Sequence, residues 1–451
     1  MKVIIVGCGK LGLLLAKQLS DEDTDVTVID QNAEKLSRAL SMVDVQGVAG
    51  NGTSFRTQAE AGVPEGDLMI AVTGADEVNL LCCLIAKHSG VKHTIARVRN
   101  PVYNDEVSFL SGRMGISMAI NPELVCAENI ARLIEVPAAL EITSFVRGRV
   151  DLLKLPIPEG SVLNGITVME FASKIHRGTL ICAIARGGEV IIPDGHTKLM
   201  AGDDMYVITP PVQIHKLLSK IGIKEKPVKN VTIAGGGTTA YYLAKRLERD
   251  SIDVKIIEMD RKRAEQLSDM LPDVMVINGD ASDRQLLMEE GVAEWDGFVT
   301  LTGLDEENMV LSMFINKVGH AKTITKLNHI SFEEVVADLP LGSTVSPKDS
   351  IAKMIIQYVR AMENSYGSNV ETMSRILDDR AEVLEFAIRG ESKVTGKPLM
   401  ELSLKNGLLV CAIVRDGKVI TPGGHDEIRI GDNVVIVTTN KGLRDIKDIL
   451  L

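Results

Sequence analysis

What most constrains this chain is that it repeats itself. The stretch "VIIVGCGKLGLLLAKQL" at residue 3 returns as "VTIAGGGTTAYYLAKRL" at 231, a shift of 228. "VTGADEVN" at 72 returns as "LTGLDEEN" at 301, and "LICAIARGGEVIIPDGH" at 180 as "LVCAIVRDGKVITPGGH" at 409, each a shift of 229. Three separate blocks at nearly one offset require a tandem duplication of roughly 230 residues. A length-based prior of about 150 residues per domain would suggest three domains; the repeat replaces that count with two copies of one unit.

Each unit reads in two parts. The first alternates β-rich runs such as Val3–Val6 and Val26–Ile29 with helical patterns such as Leu11–Leu19, which predicts a parallel, doubly wound sheet. The second is a set of short strands parted by turn signals, "RGGE", "IPDGH" and "MAGDD", a small α+β module. The expected fold class is therefore α/β: two Rossmann-like domains, each followed by a small module. The expected boundaries are a first Rossmann-like domain at 1–122, a connecting helix at 123–142, a first module at 143–221, a linker at 222–229 in "KEKPVKN", a second Rossmann-like domain at 230–345, a connecting helix at 346–369 and a second module at 370–451. The segments "ENIARLIEV" and "DSIAKMIIQYVRAM" carry apolar residues at helical spacing. They pack either on their own domain or along a dimer seam.

The glycine loops carry the chemistry. In Gly7-x-Gly9-x-x-Gly12 the first glycine permits a tight turn, the second lets backbone approach a phosphate, and the third allows helix and strand to touch. The helix start, with Lys10 and Leu11, then offers unpaired N–H groups and a positive dipole end. Asp30 ends the next strand, 18 residues after Gly12. A carboxylate there accepts from ribose hydroxyls and disfavours a 2′-phosphate, which points to NAD(H) or an adenine mononucleotide. The second copy has Gly235, Gly237 and Ala240, with Glu258 in the matching place. Lys10 can reach a terminal phosphate, whereas Thr238 stands in its position in the second loop. Arg97 and Lys326 correspond at the 229 shift, giving each site a cation on a later strand. The first site is therefore expected to accept a more heavily phosphorylated nucleotide than the second.

Other repeated residues admit two readings. Thr73 with Asp76, and Thr302 with Asp305, fit a capping box at a helix start or a nucleotide contact from the threonine. Asn51 and Asp280 either meet the nucleotide from the opposite lip or make a turn. Cys182 with His196, and Cys411 with His425, lack partners at metal-ligand spacing; a strand cysteine and a turn histidine account for them.

Composition narrows the class. A formal net charge of -11 and a pI near 5.4 argue against a nucleic-acid partner. No apolar run approaches the roughly 18 residues that span a bilayer, and the start of the chain reads as a strand and not as a signal peptide, so a cytoplasmic location is expected. Six scattered cysteines in apolar stretches suit buried thiols in a reducing compartment. The eight histidines form no acid–base constellation, so an NAD-dependent oxidoreductase stands as the alternative to a binding protein with no catalysis.

With the duplicated loops, the acids Asp30 and Glu258, the TGxDExN blocks and the repeated modules in view, the chain resembles the TrkA family of bacterial peripheral subunits. These serve Trk potassium-uptake systems and are built from two RCK (KTN) domains, each with a small C-terminal domain. The resemblance spans essentially the whole chain. It implies a cytoplasmic regulatory subunit, peripheral on the inner face of the cell membrane, docked on a potassium-translocating subunit. It further implies binding of NAD(H), with ATP/ADP as alternative ligands, gating through nucleotide-dependent conformational change, and a homotetrameric ring.

Overall fold

A computed structural model describes residues 1–451 apart from 23, 104–113, 177, 224–225, 329–335, 337–338, 364–369 and 378–379. Part of the expected linker (224–225) and the end of the second connecting helix (364–369) lie outside the described residues. Tertiary contacts divide the chain into two compact units. Unit 1 comprises Met1–Glu128 with Gly236–Arg246 and Ser346–Ile356; unit 2 comprises Asn129–Gly235, Leu247–Val345 and Gln357–Leu451.

Unit 1 is built on a six-stranded parallel sheet: β1 (Lys2–Val6), β2 (Asp25–Asp30), β3 (Gln46–Ala49), β4 (Leu68–Ala71), β5 (His93–Arg97) and β6 (Met118–Ile120), in the order β3-β2-β1-β4-β5-β6. Helices α1 (Lys10–Ser20), α2 (Ala33–Met42), α3 (Phe55–Glu60) and α4 (Asp76–His88) connect the first five strands. The central strands read as unbroken apolar runs because helices cover both faces of such a sheet; Val3, Ile4, Ile5, Leu68, Met69 and Ile70 have no exposed surface. Strand order reverses between β1 and β4, and the crevice outside the strand ends at that point is where such folds hold ligands. The first glycine loop leaves β1 there.

Unit 2 holds three sheets. The small module of the first repeat is antiparallel, with β7 (Glu141–Phe145), β8 (Val150–Pro156), β9 (Leu180–Arg186), β10 (Glu189–Ile191) and β11 (Asp204–Thr209) in the order β10-β9-β11-β8-β7. The second parallel sheet repeats the first as β14-β13-β12-β15-β16-β17, from β12 (Asn230–Ala234), β13 (Asp253–Glu258), β14 (Met275–Asn278), β15 (Gly297–Thr300), β16 (Lys322–Lys326) and β17 (Ser343–Val345). The second small module orders β18 (Val370–Ile376), β19 (Ala381–Ala387), β20 (Leu408–Arg415), β21 (Lys418–Ile420) and β22 (Asn433–Thr438) as β18-β19-β22-β20-β21.

The two small modules share one apolar core, in which Phe145, Leu152 and Cys182 of the first meet Val383, Cys411 and Val435 of the second. Cys182 and Cys411 are repeat-mates, and their thiols touch: burial, followed by the hydrogen bond with Cys182, pushes the Cys411 thiol well above its ordinary value. All six cysteines are buried and free. His196 lies in the exposed turn and donates its backbone N–H to Asp194.

Helix α5 (Pro122–Glu135) runs from unit 1 into unit 2, as do α7 (Thr238–Arg249), which follows the second glycine loop, and α11 (Pro347–Glu363). The opening turns of α7 and α11 belong to the unit built on the first sheet. Of α11, Pro347–Ile356 fall in unit 1 and the rest in unit 2. Ile351 and Ala352, each one helical turn before Ile355, are like it fully or almost fully buried.

Candidate functional site: two glycine loops at the strand ends

The first loop is shaped by its backbone. Gly7 has φ +105°, a conformation only glycine enters without strain, and its N–H donates to Ile29 O at 2.8 Å. A Cβ on Gly7 would stand 3.1 Å from Val72 C and Thr73 N. A Cβ on Gly12 would overlap the carbonyl oxygen of Gly7, so that glycine sets how closely α1 packs on β1. Gly9 is different: no atom lies within 4 Å of where its Cβ would be. It is the N-cap of α1 and provides no side-chain cap, which leaves the first N–H groups of the helix, including those of Lys10 and Leu11, without intrahelical acceptors. The Leu11 side chain is buried, whereas Lys10 is exposed and has no ion-pair partner among the described residues. A positive helix end, open space over Gly9 and one exposed cation are the features an anion cradle needs.

Asp30 closes the loop from the side. Its Oδ2 accepts from Cys8 N at 2.6 Å and its Oδ1 from Asn32 N at 2.8 Å. The carboxylate expected to meet the ribose holds the glycine loop to the end of β2. Burial, with Asp30 beside it, pushes the Cys8 thiol up.

Across the loop, Thr73 donates from its N–H and its hydroxyl to Asn79 Oδ1, at 2.8 and 2.7 Å. Asn79 has no exposed surface and donates to Arg97 O at 2.9 Å, so one buried amide pins the β4 loop to the end of β5. The Arg97 guanidinium donates to Thr73 O; burial, then neighbouring Arg99, holds its pKa below the usual arginine value. Gly7, Thr73 and Arg97 are thereby brought together. The capping-box reading of Thr73 and Asp76 fails: Ala75 is the N-cap of α4 and caps nothing with its side chain, while Asp76 Oδ2 accepts from Arg99 N and Asn100 N, both at 2.8 Å. Those donors lie on a loop more than twenty residues away. Asn51 makes the turn, its Oδ1 accepting from Thr53 N and Oγ1.

The second loop keeps the same backbone. Gly235 has φ +99° and donates to Ile257 O at 2.8 Å; its Cβ would stand 2.9 Å from Leu301 C and Thr302 N. Gly237 is as open as Gly9. Ala240, at the third position, is fully buried, and Thr238 begins α7. Glu258 Oε1 accepts from Asp260 N at 2.7 Å. Asp280 makes a turn through Ser282, whose hydrogen bonds hold its carboxyl below the usual range. Thr302 N–H donates to Asn308 Oδ1 at 2.9 Å, Asn308 donates to Lys326 O at 3.0 Å, and Lys326 Nζ reaches Leu301 O at 3.0 Å. The Thr302 hydroxyl accepts from Leu304 N at 3.3 Å, but Leu304 is the N-cap of α10 (Asp305–Val318) and Asp305 Oδ1 accepts from Asn328 N and Nδ2, so the two residues do not form a capping box.

The buried Asn79 and Asn308 were not singled out from the sequence, although both close the TGxDExN block that marks the repeat. A buried asparagine at one position in both copies was the available signal.

Comparison with known proteins places this architecture. The TrkA-N domain matches residues 3–122 and 231–347, and the TrkA-C domain matches residues 152–222 and 383–451. The "Trk system potassium uptake protein TrkA homolog 2" of Methanosarcina mazei is 31% identical over 456 residues, covering 99% of each chain. The "Trk system potassium uptake protein TrkA" of Haemophilus influenzae is 32% identical over 445 residues, covering 98% of this chain and 96% of that one. Among solved structures, one described as "GsuK channel bound to NAD" shares the fold with a TM-score of 0.63 at 18% identity, covering 98% of this chain and 77% of that one.

Proposed function

The chain belongs to the TrkA family, and from that premise we propose that it is the nucleotide-sensing regulatory subunit of a potassium-uptake transporter. In this reading it is cytoplasmic and peripheral on the inner face of the membrane. It docks on a potassium-translocating subunit as a homotetramer and gates transport without catalysing a reaction. Among the described residues no helix is long and apolar enough to cross a membrane. The domain boundaries given from the sequence are part of the proposal.

The observation that carries it is the pair of open cradles over Gly9 and Gly237, each at the carboxyl end of a central parallel strand. NAD(H) is the expected ligand, with ATP or ADP as alternatives. The loop and helix N-terminus would take the phosphates through backbone N–H groups, with Lys10 at the first site. Asp30 and Glu258 would take the ribose, and Thr73, Arg97, Thr302 and Lys326 would border the opposite side. Gating requires only that a ligand bind two arrangements of the domains unequally; couplings of about 1–3 kcal/mol are usual.

Calorimetric titration with NADH, NAD, ATP and ADP, recording stoichiometry per chain, tests the reading. Saturable binding with unequal affinities and no consumption of NADH supports it. Absence of binding by all four sinks it, and NADH turnover with a carbonyl substrate would favour the oxidoreductase. In cells, Gly9→Val should blunt potassium uptake while leaving assembly intact.

A further inference from the structure

We infer that Tyr242 is a positioning residue tying helix α7, which opens at the second glycine loop, to the Thr73–Gly74 side of the first, so that occupancy of one nucleotide site changes affinity at the other. The inference rests on the nucleotide-binding reading above and adds to it a route between the sites.

The opening turns of α7 lie in unit 1 with the first sheet. Tyr242 is 6% exposed. Its hydroxyl accepts from Asn121 Nδ2 at 2.9 Å and donates to Arg99 O at 3.4 Å. Asn121, 5% exposed at the end of β6, also accepts from Leu124 N at 3.0 Å and so starts α5. These two partners of the phenol are therefore fixed to the first sheet. A benzyl ring would fill the same volume; only the hydroxyl specifies this attachment.

Arg99 continues the route. Its N–H donates to Asp76 Oδ2 at 2.8 Å and its Nη2 to Gly74 O at 3.0 Å. Gly74 follows Thr73, the residue against which the Gly7 turn is packed. On the other side, Tyr242 lies five residues beyond Gly237, about 7.5 Å along a helix rising about 1.5 Å per residue. A helix is stiff over that length, so displacement of Arg99 moves the cradle over Gly237.

The polar cluster around Arg99 has slack. Asp76 Oδ1, Arg97 Nε, Arg99 Nε and Glu123 Oε2 are buried without a hydrogen-bond partner among the described residues, and the ion pairs of Arg99 with Asp76 and Glu123 are long, at 4.0 and 3.9 Å. Unsatisfied buried polar atoms are costly, so a second arrangement of this cluster that pairs them is accessible when a ligand engages the Thr73 loop. The connection is not duplicated: the repeat-mate of Tyr242 is Leu14, and that of Asn121 is Ser346. Leucine has no hydroxyl to offer.

The test is ATP titration of the full-length protein by calorimetry, with Gly9→Val and Gly237→Val giving the affinity of each site while the other is closed. Because the two sites are unlike, coupling is read as the ratio of the native two-site binding constant to the product of the two single-site constants, expected to depart from one by at least about fivefold, the lower end of usual couplings. Tyr242→Phe in all three backgrounds should keep the melting temperature and the open sites while returning that ratio to one, and Asn121→Ser should do the same. Tyr241→Phe, on the neighbouring ring, should leave the ratio unchanged. Native-like coupling in Tyr242→Phe, or a ratio of one in the native protein, overturns the inference. Absence of ATP and NADH binding at either site fails the nucleotide reading itself, a result separate from two sites that fill independently.

Discussion

The two glycine loops share a backbone and differ in what surrounds it. At Gly7 and Gly235 the positive φ, the hydrogen bond back to the neighbouring strand and the crowding against the β4 or β15 loop are the same. Gly12 has become Ala240, Lys10 has become Thr238, and Asp30 has become Glu258. The left-handed backbone at the first glycine admits one residue type and persists through duplication, whereas the close approach at the third does not. Side chains that set affinity and charge are free to drift, so one chain can carry two unlike sensors on one design.

That contrast can be broken most severely at the third glycine. Gly12→Ala places a methyl on Gly7 O, and overpacking of this kind costs about 3 kcal/mol; scanning calorimetry should show the lowest unfolding transition falling. Ala240→Gly should cost less, about 2 kcal/mol, from helix propensity and the loss of one buried methyl. Equal losses would mean that the loops are packed alike. Next come the buried amides: Asn79→Ala and Asn308→Ala should each lose about 2 kcal/mol in denaturant unfolding by stranding the N–H of the threonine loop. Here the copies should agree, and a large inequality would show that only one loop is pinned. Removal of Asp30 both loosens the loop and deletes the ribose acceptor. Asp30→Ala should therefore weaken NADH binding about tenfold, or about 1.4 kcal/mol, and more than Glu258→Ala does. The smallest effect belongs to the exposed cation: Lys10→Ala should lower ATP affinity about threefold and leave NAD affinity unchanged, within the range of exposed ion pairs. Thr238→Lys should raise ATP affinity at the second site by a similar factor; no gain there would locate the difference in the acids.

The duplication, both parallel sheets and the Gly7 and Gly235 turns were legible in the sequence because each follows from local requirements, a strand period, a helix period or a backbone angle. The roles of Asp76 and Asp305 were not, because their hydrogen-bond donors, Arg99 and Asn328, come into reach only through the register of the next strand. Asn79 and Asn308 escaped for the same reason. The placement of the first turns of α7 and α11 with the first sheet also escaped, since helical periodicity reports that a face is buried and not which repeat buries it.

The contact of Cys182 with Cys411 gives the duplication a further meaning. A residue that touches its own copy marks an axis of approximate two-fold symmetry, and in a half-length ancestor pairing as a dimer any change at that position would have arrived on both sides at once. Fusion into one chain releases that constraint. Either thiol can now be replaced while the other stays, so the pair of modules can evolve as a heterodimer whose subunits are never separated.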